Sequence, residues 1–518
     1  MLSNLEKIVS DEMRQWSIGG LSVALVDDQR VVHAAGFGQA RRDSIFRVGS
    51  VAKLFNAIAV LQQVEAGRLN LDTALPADML PLNPFLDNPP VTLRQLLCHR
   101  SGLQREAPVG GYYDDSEPGL AATMASVRPC VLATRPGAAT RYSNLAPSVA
   151  GWLVERASGL SFEDYQCARL LRPLGMADST WTRKRIPPGR LLTSHMRVAD
   201  GHGGWMRRPA PVFDLGTIPA GNLYSTVDDL ARFASALLAG GGGLVKPETL
   251  TEMWRVQYAP ENLPGYGLGF VVSQLRHRRL LHHGGAIYGC TSFFGLMPEE
   301  KLAVVVLVNE DIVTGRIRHI AEAAFGQLLE EKFGEKPPPE QDFPAPPNLA
   351  AFAGEYESQS FWARLEVQED QLTGDISGQP TVFAPAGGLN FAAHSRLEDT
   401  TPTAFQQDGD GKVCGFTMGS QQFQRVSAQP TPLPAAWRAF CGSYGPDFIP
   451  VVVSERHGHL YAMTENMADY RLTPVNRHAC AFPSGLYAGE QVVFLYSADG
   501  QPRALDFANM RLPRRNDA

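Results

Sequence analysis

Three short groups of residues carry most of the chemistry open to this chain. Ser50-Val-Ala-Lys53 stands at the start of a predicted helix, where an i, i+3 spacing puts a hydroxyl and an ammonium on one face. An unassisted serine is a poor nucleophile at neutral pH, but a lysine whose charged form is disfavoured by partial burial can take its proton. The free N–H groups of a helix start also favour developing negative charge. Ser-x-x-Lys by itself recurs by chance, with the serine as a cap and the lysine in solvent. Tyr142-Ser-Asn144 follows Arg135-Pro-Gly137 and precedes a helix, which leaves Tyr142 on a loop from which its phenol can reach the Ser50–Lys53 pair. His283-Gly-Gly285 comes just before an apolar strand and puts an imidazole beside bare backbone along a strand edge. The plainer alternatives are an ordinary loop tyrosine and a glycine bend with an incidental histidine. A metal site on His277, His282 and His283 is a further alternative, but no carboxylate or cysteine accompanies them, so no metal and no other cofactor is expected.

The elements that must position these groups are legible from periodicity. Leu54, Ile58, Leu61 and Val64 recur at helical spacing after Ser50, and Gly67 follows where a helix would stop. Helical pattern returns at Val149 to Ala157, Val227 to Ala239 and Ile317 to Phe333. Leu21 to Val26 and Val31 to Ala35 read as a hairpin, and Gly267 to Val272, Thr291 to Leu296 and Leu302 to Val308 read as later strands. Strands at both sequence ends with helices between predict one α+β domain, residues 1–334, whose antiparallel sheet unites its two ends. Residues 335–347, with Lys336-Pro-Pro-Pro-Glu340 and Pro344-Ala-Pro-Pro347, form a Pro-rich linker.

Beyond the linker the chain repeats itself. Phe352-Ala-Gly-Glu-Tyr356 returns as Phe440-Cys-Gly-Ser-Tyr444, about 88 positions later. Asp410-Gly411, Phe416 and Arg425 recur in the same order as Asp499-Gly500, Leu505 and Arg514. Short alternating segments broken by Gly, Asp and Pro predict two related antiparallel β-barrels, residues 348–430 and 431–518.

Of the 518 residues, 44% are hydrophobic and 19% charged, so most of the chain should fold, and its length calls for two or three cores. A net charge of −6 without a basic run gives nucleic acid or an anionic membrane no electrostatic hold. The seven cysteines are odd in number and never closely paired, which argues against a disulfide framework. Charged residues interrupt the first twenty positions, so a secretory leader is not expected and a cytoplasmic protein is; the periplasm stays open, since a trimmed leader would leave the same sequence.

The order Ser-x-x-Lys, Tyr-x-Asn, His-x-Gly resembles the serine β-lactamase and penicillin-binding-protein superfamily, in the branch that holds D-aminopeptidases, esterases and class C β-lactamases. Flanking phrases resemble it too: Phe46-Arg-Val-Gly49, Thr92-Leu-Arg-Gln-Leu-Leu97 with Ser101-Gly-Leu103, Pro173-Leu-Gly-Met176 and Gly221-Asn-Leu-Tyr-Ser225. The resemblance spans roughly residues 20–327. It implies a β-lactamase-like α+β catalytic domain with Ser50 as nucleophile, Lys53 as its base, Tyr142 as acid and base for the leaving group, and Asn144 as a substrate positioner. His283 and Gly285 would line the substrate edge, and the backbone N–H groups of Ser50 and Ala286 would form an oxyanion hole. His283 stands where penicillin-recognising members carry a cationic Lys-Thr-Gly element; a neutral imidazole holds a carboxylate weakly, which turns expectation away from β-lactams. Overall length and the two lipocalin-like barrels resemble D-aminopeptidase, in which a loop of the last barrel enters the active site; Thr464 to Tyr470 is the candidate loop here. The expected substrates are short peptides and amides, with carboxylesterase activity as the alternative, and a β-lactamase or a non-catalytic sensor or scaffold behind both. A homodimer is the expected assembly.

Overall fold

Leu302-Ala-Val-Val-Val-Leu-Val308 is apolar at every position because both of its faces are covered. In the computed structural model it is an interior strand, third of seven, in an antiparallel sheet. The strands are β1 (Gly20–Asp27), β2 (Arg30–Gly38), β3 (Gly265–Tyr266), β4 (Val271–Leu275), β5 (Arg278–Ile287), β6 (Cys290–Met297) and β7 (Leu302–Val308), in the order β2-β1-β7-β6-β5-β4-β3. The register sets Leu21 opposite Val308 and Asp27 opposite Leu302, so the two sequence ends of the domain meet inside the sheet.

Alternation along the strands builds two cores. Leu21, Val23 and Leu25 with Val304, Val306 and Val308 pack against α1 (Leu2–Gln15) and α5 (Thr314–Phe333). Ala24, Val26, Val305 and Leu307 face the helical region on the other side. That region contains α2 (Ala52–Glu65), α3 (Leu145–Ser158) and α4 (Val227–Leu238). α2 is buried without interruption from Ala52 to Leu61. Phe55 of α2 stacks on Phe233 of α4 with centroids 4.0 Å apart, and Asn56 Nδ2 donates to the Pro147 carbonyl of α3 at 2.8 Å.

The described residues are 2–199, 204–258, 264–338, 341, 343–426, 432–498 and 500–515. They divide into two units, Met1–Met196 with Pro209–Lys336, and Arg197–Arg208 with Pro337–Ala518. The first unit thus ends close to the expected 334, but 197–208, read from the sequence as part of 1–334, groups with the second. The spans 348–430 and 431–518 group as one unit. Residues 339, 340 and 342 of the Pro-rich stretch, residues 427–431 at the expected barrel boundary, and Asp499 of the repeated turn lie outside the described residues.

One expected strand is corrected. Gly267 to Phe270 is a turn after β3, and of the expected strand only Val271 and Val272 lie in one, at the start of β4. Gly269 adopts φ +89°, and a Cβ there would stand 2.8 Å from the Ala57 side chain, so the chain bends where α2 passes closely.

In the second unit, eight strands from Gly354–Glu357 to Gln421–Arg425 close into a barrel. The following region is also antiparallel, but its ladder is split into sheets of four and five strands, with a single bridge between Tyr444 and Arg514. The repeat has a physical basis. Tyr356 OH and Tyr444 OH each donate to the carbonyl four residues back at 2.8 Å. Arg425 lies over the Tyr356 ring and Arg514 over the Tyr444 ring, and each guanidinium donates to carbonyls flanking a positive-φ glycine, Gly354 or Gly442. The Thr464–Tyr470 loop is tied to the barrel: Gln379 Nε2 donates to the carbonyls of Asn466 and Met467, and Trp362 Nε1 donates to Asp469 at 2.9 Å.

Candidate active site

The serine lies in a tight turn at the mouth of α2. Phe46–Arg47 pairs with Tyr224–Ser225, and Val48 N donates to the Leu223 carbonyl at 3.0 Å, which fixes the approach. Gly49–Val51 then forms a single 3-10 turn before α2, so Ser50 stands in this turn and not as a helix cap. Gly49 has φ +51°, and a Cβ on it would sit 2.9 Å from Ala286 N. A Cβ on Gly285 would fall 2.1 Å from the Val48 carbonyl, 2.3 Å from Ser292 Oγ and 3.0 Å from Ser50 N. Two bare backbones therefore pass in contact, which brings the Ser50 and Ala286 peptides to one place, and Ser292 Oγ donates to the Val48 carbonyl at 2.7 Å to hold them there.

Lys53, the second residue of α2 and one turn past Ser50, is 3% exposed. Its Nζ donates to Ser50 Oγ, Asn144 Oδ1 and the Ala220 carbonyl, each at 2.8 Å. Burial drives its pKa well below the ordinary value, opposed by the negative charge of Glu106 and aided by Arg105. Tyr142 OH donates to the same Ser50 Oγ at 2.8 Å. Burial raises the phenol's pKa, so it stays protonated at neutral pH.

The Tyr142 loop is bound to the 99–105 segment. Arg141 N donates to the His99 carbonyl at 2.7 Å, Ser143 Oγ to the Gln104 carbonyl at 2.6 Å, and Asn144 N to the Arg105 carbonyl at 2.7 Å. Asn144 is the first residue of α3's entry, and its Nδ2 donates to Glu106 Oε1 at 2.5 Å while its Oδ1 faces Lys53. The Tyr142 ring lies 4.4 Å from His99 and 6.2 Å from His283, centroid to centroid. Buried His283 has its Nδ1 at 2.6 Å from the Gly284 carbonyl, and burial followed by the Lys53 charge pulls its pKa down to about 3. It is neutral throughout the physiological range, more firmly so than an ordinary histidine.

The structure brings Ser50, Lys53, Tyr142 and Asn144 into one hydrogen-bonded cluster, with His283, Gly285 and Ala286 along its edge. His282 points away from His283 and stacks on Phe293. Among the described residues no group of three or more His, Cys, Asp or Glu is arranged to hold a metal. The sequence reading missed Glu106, 1% exposed, together with Arg105, His99 and the Ala220 carbonyl. Their nearest signals were the flanking phrases Ser101-Gly-Leu103 and Gly221 to Ser225, which prove to be the segments that hold the Tyr142 loop and the serine turn.

An α+β unit with helices on both faces of its sheet and this cluster beside one strand has known counterparts: residues 5–327 match the Beta-lactamase family, and the chain belongs to it. Penicillin-binding protein 4 of Amycolatopsis lactamdurans is 29% identical over 347 residues, covering 63% of this chain and 88% of that protein. Esterase EstB of Burkholderia gladioli is 31% identical over 296 residues, covering 49% and 74%. The solved octameric penicillin-binding protein homologue from Pyrococcus abyssi aligns with a TM-score of 0.59 at 24% identity, over 82% of this chain and 99% of that one. No helix of the described residues is long and apolar enough to cross a membrane.

Proposed function

We propose that the protein is a serine hydrolase that forms an acyl-enzyme on Ser50 and acts on short peptides and amides from their amino end, in the manner of a D-aminopeptidase. The observation that carries this reading is the convergence of Lys53 Nζ and Tyr142 OH on Ser50 Oγ, each at 2.8 Å. Neutral Lys53 takes the Ser50 proton as Oγ attacks the carbonyl carbon. The N–H groups of Ser50 and Ala286 receive the charge that appears on the carbonyl oxygen. Tyr142 gives its proton to the leaving nitrogen, and the proton that Lys53 took from Ser50 replaces it; water then attacks the ester, and the same groups return a proton to Ser50 as the acid leaves. With His283 neutral, no cation of that edge selects a carboxylate-bearing substrate, which favours amides and peptides approached from the amino side.

Intact-mass analysis of the protein mixed with a D-aminoacyl amide, its L-enantiomer, a short-chain aryl ester and a penicillin tests the reading. Turnover or an adduct that prefers the D-amide is the expected result; a stable penicilloyl adduct with no amide turnover would overturn it. Ester cleavage is a second reading, favoured by the likeness to an esterase over the catalytic unit. An alkoxide needs less help from an acid than an amine does, so Tyr142→Phe is expected to lower amide turnover by about 10²-fold or more and ester turnover by much less. Equal losses would remove Tyr142 from leaving-group protonation.

Glu106 opposes the burial that lowers the Lys53 pKa. The acidic limb of kcat/KM reports the lysine losing its proton, so Glu106→Gln, which removes the negative charge, is expected to move that limb to lower pH. A limb that stays in place would detach Glu106 from the lysine's charge.

None of the seven cysteines is in a disulfide, which suits a reducing compartment, and we place the protein in the cytoplasm. The expected homodimer belongs to the same reading; light scattering gives the assembly size directly.

A further inference from the structure

The second unit holds a cleft of about 950 Å³ that has no part in the chemistry above. One wall comes from the closed barrel, at Glu357–Ser360 and Ser420–Arg425; the other includes His457, His459, Arg471 and Ser484. Its volume suits a small-molecule site.

Its charged groups are largely occupied with one another or with backbone. Glu357 Oε1 accepts from Tyr461 OH at 3.2 Å and lies 3.0 Å from His457 Nδ1, and its second oxygen lies 3.9 Å from Arg471 Nη1. Arg471 donates to the Ser358 carbonyl at 3.0 Å and, through Nη2, to the His459 ring at 2.7 Å. An arginine only donates, so His459 receives it as neutral imidazole; burial and then the Arg471 charge lower its pKa accordingly. The other guanidinium, Arg425, is consumed by the carbonyls of Ala351, Ala353 and Val413 and by Tyr356 OH. The lining therefore carries one carboxylate against two guanidiniums, and four of the five N–H groups of Arg425 are already given to the protein's own oxygens, which leaves an anion no free fork to bind.

The rest of the lining combines amides and hydroxyls, from Gln422, Gln424, Ser360, Ser420 and Ser484 among others, with the apolar Val426, Pro432 and Pro434. Recognition by strand addition has no footing on the barrel wall, because the barrel is closed and Gln424 is already paired with Glu357 and Gly415. A smaller recess of about 100 Å³ shares Pro434, Gly458 and His459 with the cleft and adds the partly buried Trp437 indole. Neutral amides and hydroxyls beside an aromatic face match a pyranose, which has hydroxyls on its rim and C–H groups on its faces.

We propose that this cleft binds a neutral, hydroxyl-rich ligand, a short oligosaccharide, with the side chains around Glu357 and Arg471 on its hydroxyls and Trp437 against a ring face.

Saturation-transfer NMR on the full chain with N,N′-diacetylchitobiose and with maltotriose tests this, with inorganic phosphate and triglycine as competitors. Transfer to at least one saccharide at about 20 mM or below is expected, weakened about tenfold or more by Ser484→Trp, which fills the exposed rim, and by Trp437→Ala. Ester turnover at Ser50 should stay at the wild-type value in both variants, and the melt of exposed Ser484→Trp should not move, showing that the fold is intact; Trp437→Ala also loses its packing on Phe440 and should melt somewhat lower while still unfolding cooperatively. No transfer to either saccharide, transfer indifferent to both substitutions, or displacement by phosphate or triglycine would each overturn the proposal.

Discussion

Ser50→Ala is expected to lower turnover by about 10⁴-fold or more and to abolish every covalent adduct seen by intact mass. The prediction follows from the hydrogen bonds at one atom: Lys53 and Tyr142 both aim at Ser50 Oγ, and no other hydroxyl receives both. Losing the oxygen leaves two buried donors short of an acceptor, at a cost of about 1–3 kcal/mol that ordered water can partly recover. The melting temperature should therefore move by a few degrees only, and the variant should fold. Activity within tenfold of wild type would mean that the nucleophile lies elsewhere.

Gly285→Ala should also fail, for a different reason. The added methyl meets the Val48 carbonyl, Ser292 Oγ and Ser50 N at 2.1, 2.3 and 3.0 Å. The first and third are backbone, so the strand and the serine turn must separate. Loss of one aligned oxyanion donor costs about 10² to 10³ in kcat, and overpacking of this kind about 1–3 kcal/mol in stability. Gly284→Ala supplies the control on the same strand: its methyl meets nothing nearer than the Ser292 carbonyl at 3.8 Å. Kinetics and melting curves of the pair should diverge, and matching behaviour would refute the account of the close backbone crossing.

The fold was largely legible in the sequence because its signals are local. The apolar run of β7, the helical spacing of α2 and the left-handed Gly334 that ends α5 each announce themselves over a few residues. The strand expected at Gly267 to Val272 went astray because apolar residues around glycine read as β, whereas the bend there answers to Ala57, distant in sequence. Ser50, Lys53 and Tyr142 were legible through their own chemistry. Glu106 was not, because a charged side chain on a loop carries no periodicity, and only the path of the chain takes it into the core behind Asn144. The excursion of 197–208 into the second unit likewise has no compositional mark.

The pairing of Leu21 with Val308 inside the sheet bears on how the molecule is made. Nearly three hundred residues separate the partners, so loop closure must come before their contact gives any return. As the ribosome delivers the chain, β1 and the nucleophile's helix emerge early, yet the strand that covers β1 and the glycines that seat the serine arrive last. Until then β1 presents an apolar face and an open edge, the kind of surface that chaperones shield and that aggregation exploits. Chains halted by truncation before β7 should therefore be cleared or precipitate, and the hydrolytic centre should come into being only after the whole first unit has been synthesised.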